Sequence, residues 1–137
     1  MSSPGGVLDT NIVILVRRLD PVSLPEQPTI TTVTLAELSV GPLAADNPVD
    51  RARRQEHLQF AERSFEPLPL DVAAARAFGP VATAMRQAGR KVAARSFDAM
   101  IAAIAVANGL PLYTTNPDDF AGIDGLQVVS VPAPAAE

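Results

Sequence analysis

Hydrophobic and polar positions alternate along this chain in short blocks that read as strand, helix, strand, helix. Val7-Leu8 is a short apolar strand that stops at Asp9, and residues 12–19 follow as an apolar helix. The proline-rich residues 21–28 predict a loop, and residues 29–33, β-branched throughout, predict a strand. The next helix opens with Thr34 and Glu37 at capping-box spacing and stops at Gly41-Pro42. Asn47-Pro48 supplies a cap and a first helical residue for a charged helix reaching about Phe65, with Leu58, Ala61 and Phe65 on one face. Residues 68–70 read as a short strand, after which Asp71 can cap a helix whose Ala74, Phe78, Val81 and Met85 recur at helical spacing. Gly79-Pro80 is expected to bend or break that helix, and Gly89 to close it. Ser96 can cap the helix over residues 97–108, which is apolar on almost every side except at Asp98 and is therefore expected to be buried. Asn108-Gly109 ends it. Residues 110–114 predict a strand, Asn116-Pro117-Asp118-Asp119 a turn, and residues 126–131 a last strand.

Alternating short strands and helices imply an α/β protein: a three-layer α/β/α sandwich around a mostly parallel sheet of four or five strands. With 137 residues and no internal repeat, one domain over residues 1–131 is expected, followed by a loose Pro/Ala-rich tail over residues 132–137. Hydrophobic residues at 47% and charged ones at 19% fit a folded protein better than a disordered one. No run of about 18 apolar residues predicts a membrane-spanning helix. Met-Ser-Ser-Pro-Gly-Gly lacks the basic and apolar parts of a secretory signal, so the cytoplasm is the expected compartment. The absence of Cys excludes disulfides, thiolate zinc sites and thiol catalysis, and a single histidine, His57, leaves no His-rich metal cage.

In parallel sheets ligands bind beyond the carboxyl ends of the strands, and that rule gives the acidic residues their meaning. Asp9 falls at the end of the first strand, Glu37 one turn into the helix after the second, and Asp118 and Asp119 just after the strand at residues 110–114. Asp98 opens the helix that leads into that strand, so it can join the same edge. At about 4 Å and an effective dielectric near 20, each pair of carboxylates would repel by roughly 4 kcal/mol. Such a cluster persists when a divalent cation neutralises it, and all-oxygen ligands favour Mg²⁺ or Mn²⁺. Each acid also has a plainer role. Asp9 can cap the first helix, Glu37 can complete a capping box, Asp98 suits a first helical turn, and Asp118 and Asp119 are ordinary turn residues. Asp98 discriminates best, as the one charge in an otherwise apolar helix.

A net charge of −4 argues against a general polyanion binder. The charge is uneven, however: all 11 basic residues lie between Arg17 and Arg95, and five acids but no base follow. Arg86, Arg90, Lys91 and Arg95 form a basic stretch beside the acidic cluster, suited either to an RNA backbone or to a solvated linker. His57 stands among Arg53, Arg54 and Glu56 and is expected to be solvated, which disfavours a hydrolytic triad. Gly5-Gly6 precedes the first strand instead of following one, so it does not form a phosphate loop. A receiver-type phosphoacceptor domain needs a Lys at the end of a late strand, and the only Lys, Lys91, is in a loop before a helix.

Four segments, Val7-Leu8-Asp9-Thr10-Asn11, Thr32-Val33-Thr34-Leu35-Ala36-Glu37-Leu38, Arg95-Ser96-Phe97-Asp98-Ala99-Met100-Ile101-Ala102-Ala103 and Tyr113-Thr114-Thr115-Asn116-Pro117-Asp118-Asp119-Phe120, resemble the successive motifs of the PIN domain, in order and spacing. More narrowly, they resemble the VapC-type toxins of bacterial VapBC toxin–antitoxin pairs. The resemblance implies a PIN-like fold and a Mg²⁺- or Mn²⁺-dependent ribonuclease, cytoplasmic and dimeric, held inactive by a cognate VapB-type antitoxin that also binds its own promoter. It implies that Asp9, Glu37 and Asp98 are acidic metal ligands. Many PIN domains carry an acid where this chain has Asn116, so Asp119 is the expected fourth carboxylate and Asp118 its substitute. Thr10, Thr115 and Asn116 are the expected polar neighbours.

Carboxylate-bound metal chemistry can activate a water, neutralise the phosphoryl group and stabilise the leaving oxygen without His or Cys, in keeping with this composition. With 4% aromatic residues and no Trp, base stacking is expected to be limited, leaving RNA shape and loop access to select the target. Two other readings stand beside this one. A catalytically silent PIN-like protein-binding module predicts the loss of at least one of Asp9, Glu37 and Asp98, and all three are present. A Mg²⁺-dependent phosphatase or phosphotransferase predicts a phosphorylatable Asp9 with a second Asp two residues on, where this chain has Asn11.

Overall fold

Val7 and Leu8 are neighbours on the first strand, yet they bury their side chains in different cores. Successive strand residues face opposite sides of a sheet, so this sheet is covered on both faces. The computed structural model describes residues 4–135. The N-terminal Met-Ser-Ser and the last two residues of the expected tail lie outside the described residues. Four strands, β1 (Gly5–Leu8), β2 (Gln27–Thr29), β3 (Leu112–Thr114) and β4 (Val128–Ser130), form one sheet in the order β2-β1-β3-β4. All three pairings are parallel, with Val7 opposite both Thr29 and Leu112, and Thr114 opposite Ser130.

Parallel neighbours need long crossovers: α1 (Thr10–Leu15) lies between β1 and β2, and α2 (Thr32–Ala44), α3 (Pro48–Ser64), α4 (Val72–Gln87) and α5 (Ser96–Ala107) lie between β2 and β3, while the link from β3 to β4 carries only a 3-10 turn, Pro117–Phe120. On one face, Ala74, Val81 and Met85 of α4 and the buried run Ile101 to Ala105 of α5 pack with Val7 and Leu112. On the other, Ile12 and Val13 of α1, Leu38 of α2 and Ala61 of α3 pack with Leu8 and Ile30. The result is the expected α/β/α sandwich, with a four-stranded sheet. Among the described residues no helix is long and apolar enough to cross a membrane.

Several boundaries differ from the sequence reading. The β-branched run over residues 29–33 does not form one strand. β2 starts earlier, at Gln27, and ends at Thr29, while Thr31 caps α2 by accepting the Thr34 N–H at 3.1 Å. Pro28 is tolerated because β2 is an edge strand, where a missing N–H leaves no ladder partner stranded. Glu37 is thus not the far half of a capping box with Thr34. The first strand already includes Gly5 and Gly6, and the first helix ends at Leu15, where a 3-10 turn, Val16–Arg18, takes over. Residues 68–70 give only an isolated bridge, Leu68 to Thr31.

Neither internal proline ends its helix: α2 runs through Pro42 to Ala44, and α4 runs through Pro80 to Gln87. Gly79 and Pro80 lie on the exposed side of α4, where the carbonyl deprived of its partner can bond water. Ala74, Val81 and Met85 hold the opposite side against α5. Gly89 closes α4 as expected. With φ at 86° it donates to the Arg86 carbonyl while Arg90 donates to that of Met85, the double bond of a Schellman cap. Ser96 is the first residue of α5 and not its cap, a place taken by Arg95 without a side-chain bond.

Candidate active site

The chain leaves β1 at Leu8, and the next residue, Asp9, caps α1 at the carboxyl edge of the sheet. Its side chain is 5% exposed. Oδ1 accepts from the Thr10 N–H at 2.9 Å, and Oδ2 accepts from Thr114 Oγ1 at 2.9 Å. Thr114, the last residue of β3, in turn accepts the Asn116 N–H at 3.0 Å. Adjacent strand ends therefore clamp Asp9 from both sides.

Thr10 Oγ1 donates to Glu37 Oε1 at 2.7 Å and lies 3.0 Å from Thr34 Oγ1. A hydroxyl has one proton, and with Glu37 ionised Thr10 must give it to the carboxylate; Thr34 then donates to Thr10. This buried relay links α1 to α2 and fixes Glu37 on the Asp9 side of the edge.

Asp98, in the first turn of α5, and Asp119, in the 3-10 turn Pro117–Phe120, complete the group. Both point to Arg95: its Nη1 lies 2.9 Å from Asp119 Oδ2 and 3.4 Å from Asp98 Oδ2. The turn itself is braced by Arg90, whose guanidinium donates to the backbone carbonyls of Asp118 and Ala121.

The acids sense one another. Burial is the largest cause raising the pKa of Asp9, and the charges of Asp98 and Asp119 push it further, against the hydrogen bonds from Thr114 and Thr10. Glu37 is raised by burial, then by Asp98 and Asp9, against the Thr10 bond. Asp98 is raised by burial and by Asp119, while Arg95 opposes. Four carboxylates from α1, α2, α5 and the turn after β3 thus share one electrostatic neighbourhood. Among the described residues, no three Asp, Glu or His side chains already stand as a ligand set around one point. The donors still suit a hard divalent cation in kind, being all oxygen and mutually repelling, and Arg95 is the positive group now among them.

Of the other residues singled out, Asn116 and Asp118 are exposed; Asn116 Nδ2 lies 3.4 Å from Thr115 Oγ1, and Asp118 contributes its backbone carbonyl to Arg90. Arg86 on α4 and Lys91 in the turn after it are exposed, whereas Arg90 and Arg95 bond the turn that carries Asp119. His57 is half-buried, and with Arg54, Asn11, Thr10 and Glu37 it lines an open groove of about 360 Å³. The sequence reading gave neither Thr114 nor Thr34 a role at the site, Thr34 being read there only as a helix cap. A Thr at a strand end, next to an acid on the neighbouring strand, was the available signal for Thr114.

The family model described as "PIN domain" matches residues 6–126. Over 129 residues the chain is 40% identical to Ribonuclease VapC5 of Mycobacterium tuberculosis, covering 92% of this chain and 93% of that protein. It is 36% identical over 102 residues to Ribonuclease VapC4 of the same organism, covering 74% and 75%. The crystal structure of VapBC-5 from Mycobacterium tuberculosis, a member of the VapBC family of toxin-antitoxin systems, superposes with a TM-score of 0.80 at 38% identity, covering 94% of this chain and all of that one.

Proposed function

The chain belongs to the PIN-domain family, and from that premise we propose that it is the toxin of a VapBC-type toxin–antitoxin pair, an endoribonuclease that hydrolyses RNA phosphodiester bonds. Its likeness to two ribonucleases, and to the toxin of a solved toxin–antitoxin complex, supports this reading. The observation that carries it is the meeting of Asp9, Glu37, Asp98 and Asp119 at the carboxyl edge of the sheet. Residues 1–131 form the catalytic domain, it acts in the cytoplasm where its RNA is, and a VapB-type antitoxin is its partner. A second copy pairs with it through apolar surface such as that of Leu70, just before α4, with Phe78 on α4 and Met100 on α5.

In the proposed mechanism Asp9, Asp98 and Glu37 would hold Mg²⁺, with Mn²⁺ able to replace it, and Asp119 would add a further carboxylate. Such an ion, when bound, would neutralise charge on the phosphoryl group and lower the pKa of a water so that hydroxide is available at neutral pH. The protein's own part is placement and proton handling. Asp9 is held rigid by Thr10 and Thr114, so it presents a fixed anionic face. Glu37, oriented by Thr10, would hold the ion or position the attacking water. Arg86 and Lys91, both exposed, contact the RNA backbone.

One observation favours the silent binding module instead: Arg95 already bridges two of the four acids. Cleavage of total cellular RNA by the purified, antitoxin-free protein decides between them, with Mg²⁺, Mn²⁺ or EDTA and an Asp98→Ala variant in parallel. Discrete cuts that vanish with EDTA and in the variant are expected. Equal cutting by both proteins would overturn the site assignment, and no cutting by the wild type would favour the binding module.

A further inference from the structure

Arg95 stands where a cation is disfavoured by its own helix. It caps α5, and a helix N-terminus carries a positive partial charge that repels guanidinium. Two carboxylates hold it there, with a single nitrogen, Nη1, between Asp98 Oδ2 and Asp119 Oδ2. These oxygens belong to residues that the nuclease reading assigns to the metal. A divalent cation seated between the same two oxygens would take the place of Nη1.

We propose that Arg95 is an internal counter-ion of the carboxylate cluster, which a divalent cation must displace before the site is loaded. The proposal rests on the metal-site reading above and adds a residue that opposes loading. Arg95 is able to leave. Its side chain is 44% exposed, while Asp98 and Asp119 are 23% and 28% exposed, so the pair is wet enough for exchange. Arg90 makes that exchange local. It holds the Asp119 turn through backbone carbonyls and not through carboxylates, so the turn keeps its place when Arg95 swings out. The two arginines divide the work: Arg90 keeps the turn in shape, and Arg95 balances charge until metal arrives.

A site that must first expel a group binds its ligand more weakly by the fraction of molecules in which that group is already out. Two partly exposed ion pairs of this kind correspond to about a three- to tenfold penalty. The test is Mn²⁺ binding to the antitoxin-free protein without RNA, followed by the electron paramagnetic resonance signal of aqueous Mn²⁺. Wild type, Arg95→Ala and Arg95→Gln are compared, the Gln variant keeping a polar, uncharged side chain in case the Ala variant folds poorly.

Both variants are expected to bind Mn²⁺ about three- to tenfold more tightly than wild type. Their metal-free melting temperatures should fall, and saturating Mn²⁺ should raise them by more than it raises the wild type. Unchanged or weaker binding in the variants, with wild-type binding intact, overturns the counter-ion role and leaves the nuclease reading standing. Failure of all three proteins to bind Mn²⁺ overturns both.

Discussion

Thr114 Oγ1 donates a 2.9 Å hydrogen bond to Asp9 Oδ2, joining two residues 105 positions apart at the ends of adjacent parallel strands. Both partners are buried, and the same hydroxyl accepts the Asn116 N–H. One threonine therefore sets the position of the first carboxylate and of the turn that leads to Asp119.

Thr114→Val keeps the shape and removes the hydroxyl. Leaving a buried carboxylate and an N–H without that partner should cost roughly 1–3 kcal/mol in urea unfolding. RNA cleavage should fall about 10- to 100-fold, as for other residues that orient a ligand. Wild-type cleavage in a folded Thr114→Val protein would show that this bond does not position the site.

The acidic cluster also makes a statement about pH. A carboxyl whose pKa is raised by folding binds its proton more tightly in the folded state. Between its ordinary value and the raised one, stability falls as pH rises, and above the raised value the whole cost is present. Glu37→Gln keeps an acceptor for Thr10 and removes the charge. With EDTA present, the variant should melt above the wild type at pH 7, and the gap should close as pH drops toward the ordinary Glu value of 4.5. Melting curves from pH 4 to pH 8 check this, and a gap that widens on acidification would contradict it.

Arg90→Ala withdraws the donors that hold the carbonyls of Asp118 and Ala121. The global fold should survive, with a loss of about 1 kcal/mol. Cleavage should drop about tenfold or more through loosened placement of Asp119. Mn²⁺ affinity should fall as well, opposite in direction to the Arg95 variants, so one titration series separates the two arginines.

Much of the architecture was legible in the sequence because it depends on local signals. Asn47 and Asp71 cap α3 and α4, the Gly89 and Gly109 turns close α4 and α5, and α5 is buried as its apolar run requires. The departures have tertiary causes. Residues 29–33 have strand propensity, but Thr31 is needed as a cap and Val33 as a core residue under α5. Pro80 would stop an isolated helix, but α4 is held by its packing on α5. At the candidate site, strand-end rules brought Asp9, Glu37, Asp98 and Asp119 to one edge. The threonine relay and the bonds of Arg90 and Arg95 to the Asp119 turn were not legible, because these bonds join segments whose register only folding sets.

Gly6 shows how closely the sheet is covered. A Cβ at this position would come within 2.4 Å of the Tyr113 ring and 3.1 Å of Pro25. Gly6→Ala should destabilise the protein by about 1–3 kcal/mol through this overpacking. Adding Tyr113→Leu, which opens space beside residue 6, should recover part of the loss. Denaturant midpoints of the two single variants and the double variant measure the coupling, and additivity would mean that the ring is not the obstacle.

The pairing of β1 with β3 has a consequence in time. Asp9 and Glu37 leave the ribosome early in synthesis, long before Asp98, Thr114 and Asp119. Until Thr114 arrives beside Asp9, the first carboxylate lacks half of its clamp and the other two acids are missing. A nascent or truncated chain ending before that point cannot assemble the cluster at all. The order of residues along the chain thus places completion of the cluster late in synthesis, and a chain cut short before residue 98 carries only two of its four acids.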